Sequence, residues 1–272
     1  MEIASERTCH TVRRWAPPCS VAIALVGLAG GACPEARAET TFTVGAAVGA
    51  APRYEGSNEY QVLGAPMLRA DFGNGAFIDL LQGAGYTYKF TNGMFVTGAL
   101  GYATGRTDSK RADLSGSDYL KGMGKIPGSV MGVFQIGVPV YGGAVASLTL
   151  DVPLTHRERG LSGHVDLAVP VYHGGMHTVT LTPSVHFGSR SYTQTFFGVT
   201  DAQSAASRFR PYSTKSGIDS ASLSLSWGVA LSRAWSVSSM VVYTRLVGDA
   251  AGSPIVQTRQ SVFGMTSINY TF

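Results

Sequence analysis

Hydrophobic and polar residues alternate with a period of two through residues 261–272, at the end of the chain. One parity is largely apolar and the other mostly polar: Val262, Gly264, Thr266, Ile268, Tyr270 and Phe272 against Phe263, Met265, Ser267, Asn269 and Thr271. This period predicts a β-strand with one apolar face. A strand that ends an open sheet exposes an unpaired edge, and pairing of the last strand with the first removes that edge in a closed barrel.

The same kind of pattern recurs along the chain in strand-like stretches. They are residues 41–50, 60–72, 76–82, 84–90, 94–105, 128–140, 144–155, 162–172, 177–188, 217–231, 235–247 and 261–272. Tight turns with Asn-Gly or Gly-Gly alternate with longer links, which is typical of bacterial outer-membrane barrels. We therefore expect residues 39–272 to form a single all-β domain, an antiparallel transmembrane β-barrel of about twelve strands.

We interpret the charged residues inside these stretches as lying on the polar face of each strand. They are Arg69, Asp71, Asp79, Lys89, Asp151, Asp166 and Arg245, and His164 shares its face with Asp166. An arginine or lysine that faces the middle of the bilayer costs about 2–4 kcal/mol, so the barrel interior is the expected place for all of them. We expect the loops at residues 189–216 and 248–260 to close the outer mouth, and together with them these side chains would largely fill so narrow a barrel.

One stretch also fits a different structure. Residues 126–150 carry no charge and could form a transmembrane helix. Glycine and proline interrupt the stretch at high density, however, and this favours two strands around a turn at residues 141–143.

Residues 1–38 have the pattern of a secretory signal peptide. Arg13 and Arg14 precede an apolar run, and the run is followed by an A-x-A cleavage site that ends at Ala38. All three cysteines lie in this segment, so its removal leaves a chain without thiol chemistry. Residues 39–272 carry 17 Lys and Arg against 14 Asp and Glu, a balance too mild for a nucleic-acid-binding protein. We expect export to the outer membrane of a Gram-negative bacterium.

The end of the chain resembles the last strand of outer-membrane barrels. In those proteins a final aromatic residue after alternating aromatics is the usual signal to the barrel-assembly machinery. The resemblance gives this role to Tyr270 and Phe272 and implies outer-membrane lipid as the surroundings of the barrel.

Three further stretches resemble the MipA/OmpV family of outer-membrane proteins, which is named for a member that interacts with a lytic transglycosylase. The first contains Pro52, Tyr54, Gly56 and Ser57, the second Tyr192, Phe196, Phe197, Gly198 and Val199, and the third Gly248, Asp249, Ser253 and Pro254. Phe196 stands where the family usually has tyrosine. The resemblance implies a non-enzymatic scaffold that brings a lytic transglycosylase and a peptidoglycan synthase together beneath the outer membrane. All three motifs fall in predicted outer loops, where they serve either loop structure or the binding of a ligand or partner.

The residues themselves indicate no catalytic, cofactor-binding or metal site. His173 and His177 flank one turn, but two ligands do not make a metal site. His164 and Asp166 are interpreted as an ion pair in the lumen rather than as an acid–base pair. Two alternatives to the scaffold stay open: a narrow porin or small-solute channel, which the polar lumen parity supports, and a barrel enzyme that acts on lipid or peptide.

Overall fold

The computed structural model describes residues 39–112 and 114–272, and the expected signal peptide lies outside this part of the chain. Twelve strands form a closed antiparallel barrel in which the spatial order follows the chain. They are β1 Thr41–Pro52, β2 Tyr60–Asp71, β3 Ala76–Asp79, β4 Gly83–Lys89, β5 Phe95–Ala103, β6 Ser129–Pro139, β7 Val145–Pro153, β8 Ser162–Gly174, β9 His177–Gly188, β10 Gly217–Ala230, β11 Trp235–Leu246 and β12 Gln260–Thr271. This architecture confirms the predicted fold.

The last strand closes the barrel against the first. Strand β12 pairs with β1 from Thr43 opposite Thr271 to Ala50 opposite Gly264. Its inward residues Phe263, Met265, Ser267 and Asn269 are buried, whereas Val262 and Ile268 are 45% and 46% exposed on the outside. The alternation predicted for this strand is therefore present, with the apolar parity toward lipid.

The two ends of the barrel differ. The periplasmic end carries short turns, and one of them is a 3-10 turn at Tyr141–Gly143 between β6 and β7. The outer loops contain α1 Arg190–Phe197, α2 Asp201–Ala206, α3 Gly248–Gly252, 3-10 turns at Asp118–Leu120 and Arg157–Arg159, and a parallel pair of short strands, Arg106–Thr107 and Ser115–Gly116. Among the helices of the described residues, none has the length and apolar character needed to cross a membrane.

The hairpin of β3 and β4 is shorter than its neighbours. Strand β3 has 4 residues and β4 has 7, whereas β2 has 12. Strand β3 pairs with β2 only from Arg69 to Asp71. Among the described residues, the outer part of β2 therefore pairs with β1 on one side and with no strand on the other.

The barrel interior has two chemically different walls. Strands β1, β2, β11 and β12 form an apolar wall, which consists of Ala47, Ala51, Met67, Met240, Val242, Phe263 and Met265. Strands β5 to β10 form a polar wall, whose buried residues include Thr97, Gln135, Thr149, His164, Asp166, Thr182 and Ser224. The interior is thus amphipathic rather than uniformly polar.

The prediction that Arg245 faces the interior is wrong. On β11, Met240, Val242 and Leu246 are buried, whereas Tyr243 and Arg245 are exposed on the opposite parity. Strand β11 is part of the apolar wall, so both of its faces carry apolar side chains and polarity does not mark the inside. Since Arg245 lies near the outer end of the strand, its guanidinium can extend to the headgroup region instead of the bilayer centre.

Candidate functional site in the capped outer mouth

Three of the predicted interior charges form one network. Arg69 donates to Asp71 through Nε and Nη2, both at 2.7 Å, and its Nη1 lies 3.4 Å from Asp79 Oδ2. Asp79 Oδ1 also accepts the backbone N–H groups of Leu81 and Gln82 at 2.8 and 2.9 Å. Asp79 thereby holds the tip of the β3–β4 hairpin and ties it to β2.

The other predicted interior residues are more scattered. His164 Nε2 lies 3.3 Å from Asp166 Oδ2, and both residues are buried, but the angle is not that of a hydrogen bond. Asp166 accepts a hydrogen bond from Ser184 Oγ at 2.5 Å. Asp151 is partly buried near the outer end of β7, and Lys89 is exposed at the periplasmic end of β4. Only part of the set is therefore brought together.

A second histidine–carboxylate pair was missed by the sequence analysis. His186 Nδ1 lies 2.7 Å from Asp219 Oδ1. The pairing of β9 with β10 shifts between His186 and Phe187, and this bulge reverses the alternation along β10. As a result Ile218 is 54% exposed outside and Asp219 is 2% exposed. Simple alternation places Asp219 with the outward residues, so no signal in the sequence identifies it.

The first and third family motifs are joined through Tyr54. Its hydroxyl donates to the backbone oxygen of Ile255 at 2.9 Å and lies 3.1 Å from Gln257 Oε1. Gly56 has a φ of +92°, and a Cβ at this position would lie 2.7 Å from a methyl group of Val256. The close approach of the two loops thus requires glycine at this position.

The remaining residues of the first motif shape its turn. Pro52 is the last residue of β1. The fully buried Ser57 accepts the backbone N–H of Glu59 through Oγ at 3.0 Å. Both residues serve loop structure, since a serine that bonds the backbone two residues on stabilises a turn.

The second motif is joined to the third as well. Ser253 Oγ donates to the backbone oxygen of Phe197 at 2.5 Å. One hydrophobic cluster unites both motifs with the end of β11; it contains Tyr192, Phe196, Phe197, Leu246 and Ala250. Gly198 ends α1, and the buried Val199 exchanges two backbone hydrogen bonds with Tyr212, both at 2.8 Å.

The third motif also fixes the long loop of residues 189–216. Gly248 has a φ of +54° and begins α3. Asp249 Oδ2 accepts the backbone N–H of Lys215 at 2.7 Å, and the backbone oxygen of Asp249 accepts the Tyr212 hydroxyl at 2.8 Å. Pro254 precedes Ile255, which is fully buried.

These loops form what we call the outer cap, residues 53–59, 104–112, 114–128, 189–216 and 247–259. Its second hydrophobic cluster contains Tyr54, Leu120, Met123, Val199, Phe209 and Ile255. Closure by residues 189–216 and 248–260 was anticipated, but the contribution of residues 104–128 was not. The family motifs therefore meet in one packed structure over the barrel mouth.

Two buried arginines hold the outer loops together, and neither stood out in the sequence. Arg106 Nη1 donates to the backbone oxygen of Phe196 at 2.7 Å, and Arg159 Nη1 donates to that of Pro127 at 2.5 Å. The Arg159 guanidinium also lies 5.2 Å from the Phe196 ring centroid, so phenylalanine at this position supplies a cation–π contact. Burial lowers the pKa of Arg106 to about 10, which leaves it charged at neutral pH.

Glu55 belongs to the outer cap and lies close enough to the His186–Asp219 pair for both charges to act on it. Burial, followed by the charge of Asp219, raises the pKa of Glu55 to about 7, whereas His186 and Arg106 act in the opposite direction. The buried Tyr192 ring stands 5.3 Å from the His186 ring, and burial followed by Glu55 raises the pKa of Tyr192. The described residues contain no group of three or more His, Cys, Asp or Glu side chains arranged to hold a metal ion.

Comparison with known proteins gives one family and several distant structures. The family model described as MltA-interacting protein MipA matches residues 44–272. An outer-membrane channel from Pseudomonas putida F1 shares 10% identity over 88% of this chain and 97% of its own, with a TM-score of 0.44. An anion-selective porin from Comamonas acidovorans shares 12% identity over 86% of this chain and 98% of its own, with a TM-score of 0.35. No curated protein matches in sequence. With these TM-scores, the structural similarities give no indication of function.

Proposed function

We propose that this chain, which belongs to the MltA-interacting protein MipA family, is a non-enzymatic outer-membrane barrel that holds a lytic transglycosylase, and through it a peptidoglycan synthase, beneath the outer membrane. The observation that carries the proposal is the outer cap. The family motifs are used to close the outer mouth, so the periplasmic end is the face left for partners that work on peptidoglycan.

Exposed apolar residues on the periplasmic turns support such a contact. Tyr141, in the turn between β6 and β7, is 100% exposed. Met176 and Leu231, on other turns at the same end, are 54% and 53% exposed. Aromatic residues that project from a surface are the usual anchors of protein interfaces. We therefore place Tyr141 at the centre of the docking face.

The test measures binding of the purified barrel, reconstituted in lipid nanodiscs, to a purified lytic transglycosylase of the same bacterium. Tyr141→Ser should weaken binding by roughly tenfold, which corresponds to about 1.4 kcal/mol. Lys125→Ser changes an exposed residue of the outer cap and should leave binding unchanged. Absence of binding by the unaltered barrel would refute the scaffold.

A small-solute channel is the second candidate, because the polar wall favours a hydrated interior. Thr149, Thr182 and Ser224 have buried hydroxyl oxygens without a partner among the described residues. Buried polar atoms are nearly always hydrogen-bonded, so we assign water to this side of the lumen. Single-channel recordings separate the candidates, since a closed scaffold gives little current and a channel gives a stable open level.

A further inference from the structure

The barrel wall is incomplete in its outer half between β2 and β5. The backbone of the β3–β4 hairpin tip reaches β2 at Leu68, whose backbone oxygen accepts the N–H of Leu80 at 2.9 Å. On the other side, pairing of β4 with β5 starts at Leu100. Residues 61–67 of β2 and residues 101–103 of β5 therefore extend past the hairpin, and no strand of the described residues lies between them.

The gap is framed on all sides. The hairpin tip at residues 80–82 forms its lower border. The upper border is the short strand Ser115–Gly116, which pairs with Arg106–Thr107 on the β5 side. Toward β2, the N–H of Gly116 donates to the backbone oxygen of Arg53 at 2.8 Å, and Lys110 Nζ lies 3.0 Å from Glu59 Oε1. We call this framed gap the lateral window.

Strand geometry and side-chain exposure indicate that the lateral window is open toward lipid. At the lower border of the lateral window, β2 and β5 are separated by three strand spacings, so the window is roughly 14 Å wide there. Val62 and Tyr102, on the two flanking strands, are 77% and 67% exposed. Outward apolar side chains on strands that do not border the gap are less exposed, from 37% for Leu148 to 59% for Val48.

The lateral window lies in the outer part of the hydrocarbon region and reaches the membrane interface on its β5 side. Outward residues around it are apolar: Val62, Leu68, Ile78, Leu80 and Leu100. Tyr60 and Tyr102 stand near the outer ends of β2 and β5, where an aromatic girdle marks the membrane interface. Lipid cannot satisfy the peptide groups of an open strand edge, so at this depth such an edge has to be buried in protein or line a water-filled cavity. The edge of β2 must therefore find its hydrogen-bond partners on the interior side of the wall.

Behind the lateral window lies the apolar wall of the interior. Leu63 on β2 and Leu81 at the hairpin tip pack against the cluster that contains Met67, Met240 and Met265. Methionine side chains are flexible and polarisable, so they adapt to apolar ligands of different shape. A continuous apolar surface therefore leads from the bilayer through the lateral window into the barrel.

We propose that the lateral window admits small, uncharged, mostly apolar molecules from the outer leaflet into a methionine-lined site inside the barrel. The outer cap blocks direct entry from above, which leaves the wall as the route for a molecule dissolved in the membrane. The peptide groups of β2 residues 61–67 that have no strand partner on this side among the described residues would offer hydrogen bonds to a hydroxyl or carbonyl group of such a ligand. This function is independent of the scaffold role at the periplasmic end.

The test uses a phenyl-diazirine photoprobe, which is uncharged and dissolves in bilayers, with the full barrel reconstituted in phospholipid vesicles. After illumination, peptide mass spectrometry locates the labelled residues. Label should appear on the inward Met67 and Met265 as well as on the outward Val62. The inward Thr149 of the polar wall should remain unlabelled. Label confined to outward residues would overturn the proposal.

Two obstructing variants and one control show which route the probe takes. Ala65→Trp fills the inward side of β2 beside the lateral window, and Leu63→Asp places a charge on the same path. Both should abolish label on Met67 and Met265 while label on Val62 persists. Ala221→Trp, on the outward face of β10, should change neither. Heat-modified gel mobility verifies that each variant is folded, and unchanged inward label in both obstructing variants would also refute the lateral route.

Discussion

Ionisation of Glu55 should destabilise the folded protein at neutral and alkaline pH. Its ordinary pKa is 4.5, and burial with the nearby Asp219 raises the pKa to about 7 in the folded state. A carboxyl group with a raised pKa is favourable to folding while protonated, below the unfolded pKa. This advantage is lost as the pH rises from 4.5 to about 7. Each pKa unit corresponds to about 1.36 kcal/mol, so the full effect is on the order of 3 kcal/mol.

Glu55→Gln removes this ionisation without a large change of shape. The variant should match the unaltered protein near pH 4 and exceed its stability by on the order of 3 kcal/mol near pH 8. Urea titration in phospholipid vesicles, followed by the fluorescence of Trp227 and Trp235, measures the free energy of unfolding at each pH. Because other groups of the protein also titrate with pH, the informative quantity is the difference in free energy of unfolding between the two proteins at each pH.

Glu59→Gln is the matched control, because ionisation of Glu59 should stabilise the folded protein, whereas ionisation of Glu55 should destabilise it. The hydrogen bond from Ser117 and the neighbouring Lys110 lower the pKa of Glu59. Its contribution to stability is therefore present above the unfolded pKa and is lost as the pH falls. The control should destabilise the protein at neutral pH and have no effect in acid. Parallel stability curves for Glu55→Gln and the unaltered protein across this range would refute the placement of Glu55.

Four further outcomes are expected. Tyr54→Phe leaves a buried carbonyl without its donor and should destabilise the outer cap by about 1–3 kcal/mol, measured by the rate of protease cleavage in the cap. Tyr270→Ser should lower outer-membrane levels more than Thr271→Ser on immunoblots, since the Tyr270 ring packs between two other aromatic rings. Deletion of residues 203–212 should raise single-channel conductance by opening the outer cap, and a large conductance in the intact protein would contradict this. N-terminal sequencing of the outer-membrane form should begin at Glu39.

Much of the barrel was predictable because alternation is a local property. The twelve strands were located from a period of two and from turn chemistry, and both depend on near neighbours in the chain. The inward positions of Arg69 and Asp79 followed from the cost of a charge in lipid. What the pattern does not contain is contact between loops. The attachments made by Arg106 and Arg159 join residues far apart in the chain, and no periodicity marks them.

Alternation of apolar and polar residues assigns the wrong face where the barrel interior is itself apolar. It identifies the inside of a barrel only if the interior is more polar than the lipid, and beside β11 the interior is apolar. Arg245 was assigned to the wrong face for this reason, and a bulge hid Asp219 by reversing the parity of β10.

The lateral window follows from the same two properties of the chain. The stretches at residues 76–82 and 84–90 are short and adjacent, so their hairpin cannot rise to the outer ends of β2 and β5. An apolar wall directly behind such a gap would be a poor lining for a polar channel, because water gains nothing from Met67 or Met265. The same wall suits a molecule that already prefers the membrane. A short hairpin and an apolar wall are each unremarkable in a closed barrel, but together they give an apolar ligand a route into the interior that avoids the outer cap.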